Sequence, residues 1–179
     1  MPDWEQDRKK LATCALGFGR NTTGGAAGEF YTVEDPSDDT AAEPKPGTLR
    51  FGVTQKEPLW IIFASNMSIK LTQALEISSD KTIDGRGAHI TICDGPGLVI
   101  KRAQNVIVHN IEITNIVPCS SGESDGDGIS VSRCTNIWLD HLTMSKGTDG
   151  LTDITRESTA VTVSNCFYSD HDKVTNYFT

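Results

Sequence analysis

From Leu59 onward the chain alternates short apolar runs with polar turns: Leu59–Phe63, Ser68–Leu71, Thr82–Ile83, His89–Ile92, Leu98–Ile100, Val106–Val108 and Ile111–Ile113. None is long enough for a helix face, and helical periodicity is absent across the region, so each run predicts a strand. Before them, the alternating stretch Glu29–Val33 predicts one more strand. Trp4 to Cys14 combines helix formers with a charged face (Glu5, Asp7, Arg8, Lys9, Lys10) and predicts a short helix ended by Gly17 and Gly19. The acidic, proline-containing segment from Glu34 to Gly47 reads as a surface loop.

A repeat lies within this pattern. The stretch from Asp125 to Leu142 matches the stretch from Asp149 to Cys166 without gaps, at a spacing of 24 residues. One coil earlier the spacing is 31, and the seven extra residues fall in the loop Val117 to Ser124. The equivalent rows are Val106/Ile137/Val161, Val108/Leu139/Val163, Asn110/His141/Asn165, Ile111/Leu142/Cys166 and Ile113/Met144/Tyr168. Three short strands per repeat with no helix between them describe a parallel β-helix, each coil burying its inward residues on identical rows of its neighbours about 4.8 Å away. The Asn/His/Asn row reads as a stacked polar corner with His141 inside it. Cys166 falls in an apolar row and reads as a packed thiol, whereas Cys134 has no clear reading.

The register carries chemical consequences. At a spacing of 24, Asp149 stands above Asp125, with Asp127 and Asp153 two and four residues further along the same strand edges. Four carboxylates then converge within roughly 5–8 Å. Like charges so placed repel, and a cation resolves the repulsion. Oxygen donors with no His or Cys among them select Ca²⁺ over zinc. The competing reading is a solvated turn, since Asp-Gly pairs are common turn chemistry. Lys173, another 24 residues on, completes the ladder Asp125, Asp149, Lys173, either as a salt bridge to Asp149 or as a hold on an anionic substrate. His171 is expected at the surface. Asp140 and His141 are adjacent, and strict strand alternation would turn them to opposite faces.

Composition narrows the classes. The 179 residues carry 16 basic and 24 acidic side chains, a net charge of −8, which argues against nucleic acid or an anionic membrane as partner. The longest apolar run, Leu59 to Ala64, is far short of the ~20 residues of a membrane span. The glycines from Gly24 to Gly28 lack a following Gly-Lys-Ser/Thr and do not suggest a nucleotide site. Sequons at Asn21 and Asn66 fit an exported protein, although no signal peptide is visible. Five cysteines (Cys14, Cys93, Cys119, Cys134, Cys166) leave at least one unpaired within the chain.

Several motifs together resemble the plant pectate lyases and the pollen allergens related to them. They are the run Trp4 to Gly19, Pro46-Gly47-Thr48-Leu49-Arg50, Pro58 to Phe63, Lys81 to Ala88, Asp125-Gly126-Asp127-Gly128-Ile129-Ser130, and Asn136-Ile137-Trp138-Leu139-Asp140-His141. The likeness runs from about Trp4 to Val174. It implies an all-β fold, a right-handed parallel β-helix in one domain over 1–179, with a helix-and-loop region over about 1–50 and coils over about 51–179. It further implies a secreted glycoprotein, monomeric when full length, that cleaves de-esterified homogalacturonan (polygalacturonate) by Ca²⁺-dependent β-elimination. The family's calcium positions fall on Asp125, Asp127, Asp149 and Asp153, and its substrate-binding lysine on Lys173. The family's catalytic arginine belongs a coil beyond Lys173. No arginine follows Arg156 here, so these 179 residues are expected to be an N-terminal part without lyase activity. Thr175 to Thr179 depart from the family pattern, the usual partner of Cys14 is missing, and Cys93 and Cys119 stand a few residues from the family's disulfide positions. Two other functions fit parts of the pattern: a non-catalytic pectin- or calcium-binding allergen, and a β-helix polygalacturonase. A hydrolase places its two carboxylates across the scissile bond, and four acids on one side disfavour it.

Overall fold

The computed structural model describes residues 4–118 and 126–171. A 3-10 turn at Arg8–Thr13 stands where the N-terminal helix is expected, and a second covers Gly17–Gly19. Strand β1 (Glu29–Val33) and helix α1 (Leu49–Thr54) follow. The sequence pattern does not predict α1; it is one and a half turns long, and the Thr48 hydroxyl caps it by accepting from Phe51 N at 3.3 Å. Then come β2 (Leu59–Phe63), β3 (Met67–Lys70), β4 (Leu75–Glu76), β5 (Lys81–Asp84), β6 (Ile90–Cys93), β7 (Leu98–Lys101), β8 (Gln104–His109) and β9 (Glu112–Ile116). The last six are β10 (Ile129–Ser132), β11 (Thr135–Asp140), β12 (Thr143–Gly147), β13 (Thr152–Thr155), β14 (Thr159–Ser164) and β15 (Phe167–Ser169).

These strands stack into three parallel sheets, β1-β2-β5-β8-β11-β14, β13-β10-β7-β4 and β15-β12-β9-β6-β3. The chain visits the three in rotation, one strand per sheet per coil, which makes a right-handed parallel β-helix. The expected rows are present: Val106, Ile137 and Val161 pair across β8, β11 and β14, as do Val108, Leu139 and Val163. Ile113, Met144 and Tyr168 pair across β9, β12 and β15. Inward Ile, Leu and Val of successive coils form one continuous buried core, with Cys166 packed against it and Cys134 buried inside it.

Register differs from expectation in one sheet. Ile129 pairs with Thr152 and Ser130 with Asp153, an offset of 23, while β11/β14 and β12/β15 keep 24. The turn from β13 to β14 has one residue more than the turn from β10 to β11, which restores the register. A gapless match slides this extra residue through the preceding strand. A second difference concerns the segment from Glu34 to Gly47: Asp38 in it is buried and paired with Arg50 of α1, Oδ2 accepting from Nη2 at 2.7 Å.

The outward face of the first sheet is covered. Leu11, Ala12 and Ala15 pack on Trp60, Ile107 and Trp138 in a second apolar cluster, and the N-terminal segment lies across β2, β8, β11 and β14. No helix among the described residues is long and apolar enough to cross a membrane.

Candidate metal and substrate site

In the last three coils two of the three corners are tight. From the first sheet to the third the link there is two residues (Asn110–Ile111, His141–Leu142, Asn165–Cys166), and from the second to the first it is two or three. The corner from the third sheet into the second carries the long connections, and the acidic residues lie there. Of the expected cluster, Asp125 and Lys173 fall outside the described residues. Asp127 is buried, and Asp149 and Asp153 are half-buried.

Strand pairing sets their relation. Asp149 N donates to Gly126 O at 3.4 Å and Gly128 N to Gly150 O at 3.1 Å, so the offset of 23 extends back through the corner. Asp149 therefore stands against Gly126. Gly150 comes to lie beside Asp127, whose Oδ1 accepts from Gly150 N at 2.8 Å. A Cβ on Gly150 would sit 2.6 Å from Asp153 Oδ1 and 2.7 Å from Asp127 Oδ1. The two carboxylates, from neighbouring coils, thus converge on the space that a side chain at 150 would fill. Thr148 Oγ1, beside Gly126, is buried with no hydrogen-bond partner among the described residues. His171 is exposed, as expected, yet its Nε2 donates to the Asp149 carbonyl, so an imidazole does reach this corner. Converging carboxylate oxygens around a glycine-sized gap suit a hard cation that takes oxygen ligands at 2.3–2.6 Å.

Outward from the acidic corner runs the face of the second sheet, its row Glu76, Val99, Ser130, Asp153 continuous across β4, β7, β10 and β13. A shallow groove over β4 and β7 is lined by Glu76, Val99, Lys101 and Arg102. Asp153 thus stands at one edge of this face, and Lys101 and Arg102, with Glu76 beside them, towards the other.

A second cluster of functional groups was not foreseen as a unit. At the outward ends of the first-sheet strands, Asp84, His109, Asp140 and Ser164 form a continuous row. Asp140 Oδ2 accepts from His109 Nδ1 at 2.8 Å and from His141 Nδ1 at 2.6 Å; its Oδ1 accepts from Ser164 Oγ at 2.6 Å and Asn165 Nδ2 at 2.9 Å. His141 is exposed, a correction to its expected interior place, and it touches Asp140 rather than pointing away. The reason is its φ of 52°: a left-handed residue at the corner breaks strand alternation and folds the ring back. Asn110 and Asn165 take the same conformation in the same row, with φ of 58° and 52°. That repeated Asn is the signal from which the corner was legible. Burial pushes the His109 imidazole below its usual value against the pull of Asp140, and so holds it neutral. Burial alone would raise the Asp140 carboxyl, but the bonds from Ser164, Asn165 and His141 bring it below the ordinary range.

The class of architecture is thus a right-handed parallel β-helix with carboxylates converging at one corner, and its relatives make it more specific. The family described as pectate lyase matches residues 9–177, and the chain belongs to that family. It is similar to a pectate lyase of Nicotiana tabacum (50% identical, covering 97% of this chain and 47% of the relative) and to a probable pectate lyase, P56, of Solanum lycopersicum (52%, 97% and 47%). The chain thus spans about half the length of the curated relatives it matches. Among solved structures it superposes on jun a 1, the major allergen from cedar pollen, with a TM-score of 0.88 and 41% identity over 94% of this chain and 53% of the other. A pectate lyase from Paenibacillus sp. 0602 shares the fold alone, at 16% identity, with a TM-score of 0.56 over 83% of this chain and 40% of the other.

Proposed function

We propose that the chain is the metal- and substrate-holding half of a secreted pectate lyase that cleaves polygalacturonate by Ca²⁺-dependent β-elimination. The observation that carries this reading is the meeting of Asp127 and Asp153 around Gly150, in a chain that belongs to the pectate lyase family. Asp125, Asp127, Asp149 and Asp153 hold the ion, as oxygen donors with a glycine-sized gap between coils. Bound there, Ca²⁺ supplies positive charge that draws in a uronate carboxylate and acidifies the adjacent C5 proton.

The chain's own residues do the rest of the positioning. Lys173 takes the charge of a substrate carboxylate, and Lys101 and Arg102 give a polyanion a favourable path along the second-sheet face. The Gly150 amide of the neighbouring coil donates to Asp127 Oδ1 and so fixes the carboxylate at the seam between the two coils.

Calorimetry with oligogalacturonate separates the readings. The expected result is binding with Ca²⁺ and its loss with a chelator. Binding that a chelator leaves unchanged contradicts the calcium site, and saturated reducing ends released without calcium contradict the lyase reading altogether.

A further inference from the structure

We propose that His109, Asp140 and His141 form a second metal site, for a zinc-class divalent cation, at the corner between the first and third sheets. Three donor atoms meet there: both Nδ1 atoms lie within 2.8 Å of Asp140 Oδ2, and all three are within 4.8 Å of one another. The donor set of two imidazoles and one carboxylate suits Zn²⁺ rather than Ca²⁺, which takes oxygen ligands. It thereby differs from the acidic corner both in place and in chemistry.

The site is built rather than incidental. His109 and Asp140 are buried at 6% and 2% exposure, and come from neighbouring coils locked in register by strand pairing. Ser164 and Asn165, from the next coil, fix the other oxygen of Asp140, the supporting bonds that metal-binding carboxylates need. Trp138 Nε1 in turn donates to Ser164 Oγ at 2.9 Å. His141 is exposed and forms the open side through which an ion enters and a water completes the shell. Tetrahedral zinc with bonds of about 2.0 Å spaces its ligands about 3.3 Å apart. The present hydrogen-bonded separations of 2.6 and 2.8 Å need only a small widening, which the exposed ring of His141 provides. On binding, each ring proton moves from Nδ1 to Nε2 and the ion takes its place. Neighbouring Arg8 and Arg86 both pair with Asp84, and these two cations are matched in number by Asp84 and Asp140.

The test is Zn²⁺ titration of the full 179-residue chain by calorimetry, in saturating Ca²⁺ so that the acidic corner is filled. His141→Asn suits it best, because Asn already occupies the equivalent left-handed positions 110 and 165 and keeps the corner folded. We expect one Zn²⁺ bound, an affinity at least tenfold weaker in His141→Asn with unchanged circular dichroism, and no change in Asp153→Asn. Absence of Zn²⁺ binding, equal affinity in His141→Asn, or a loss in Asp153→Asn instead would overturn the assignment.

Discussion

Asp84 has no exposed side-chain surface, yet it is charged, because five donors surround it. Arg8 Nη1 reaches Oδ2 at 2.9 Å, Arg86 Nε and Nη2 reach Oδ1 and Oδ2 at 2.8 and 2.7 Å, Arg86 N reaches Oδ1 at 3.1 Å, and Trp60 Nε1 reaches Oδ2 at 3.0 Å. Burial by itself would raise this carboxyl; Arg86, Trp60 and the backbone amide bring it below its ordinary value. A carboxyl depressed in the fold stabilises the protein above its unfolded pKa of about 3.9, and that contribution is lost as pH falls through the lower folded value. Asp84→Asn therefore costs about 3–5 kcal/mol near neutral pH, since it strands two guanidiniums. Urea unfolding of both proteins is expected to show that gap narrowing as pH falls below about 4, where the carboxyl is protonated in the unfolded chain while still charged in the fold; a gap constant down to pH 2 contradicts the assignment. The Lys81 to Ala88 motif makes Asp84 and Arg86 visible in the sequence, but nothing local joins them to Arg8, 76 residues away. His141 was misplaced for a related reason: its contact depends on a backbone angle that alternation cannot foresee.

At the scale of elements, most strands were legible because inward rows demand an apolar residue at every coil. Leu59–Phe63 and Glu29–Val33 match β2 and β1 at both ends. The two-residue β4 was missed because only Leu75 marks it, and α1 because six residues present no helical period. The register of the second sheet was read one residue off, since a single extra turn residue leaves no trace in apolar spacing. Docking of the N-terminal segment was also hidden. It depends on close backbone approach: a Cβ on Gly25 would stand 1.8 Å from Leu59 O, a contact neither backbone can relieve without separating. Gly25→Ala should lift the segment from Trp60 and lower stability by about 1–3 kcal/mol. Chemical denaturation measures this; an unchanged midpoint contradicts the docking account.

For the whole molecule, the acidic balance acquires a location. A net charge of −8 opposes an acidic polymer in general; on the proposed reading, a cation at one corner together with Lys101 and Arg102 would reverse that locally. The stack itself is covered in its middle coils, whereas Val163 and Tyr168 of the last described coil are exposed along rows that are otherwise buried. Membership in the family was legible from motifs spread over most of the chain. The site was legible in part: spacing found Asp127, Asp149 and Asp153 at one corner, and only the strand register could say that Gly150 stands between two of them. The central claim is that this corner binds calcium, and a calorimetric Ca²⁺ titration of the 179-residue chain tests it most directly. The account predicts saturable binding, weakened tenfold or more by Asp153→Asn and by Gly150→Ala with the β-sheet signal intact; no binding heat, or equal affinity in all three proteins, would contradict it.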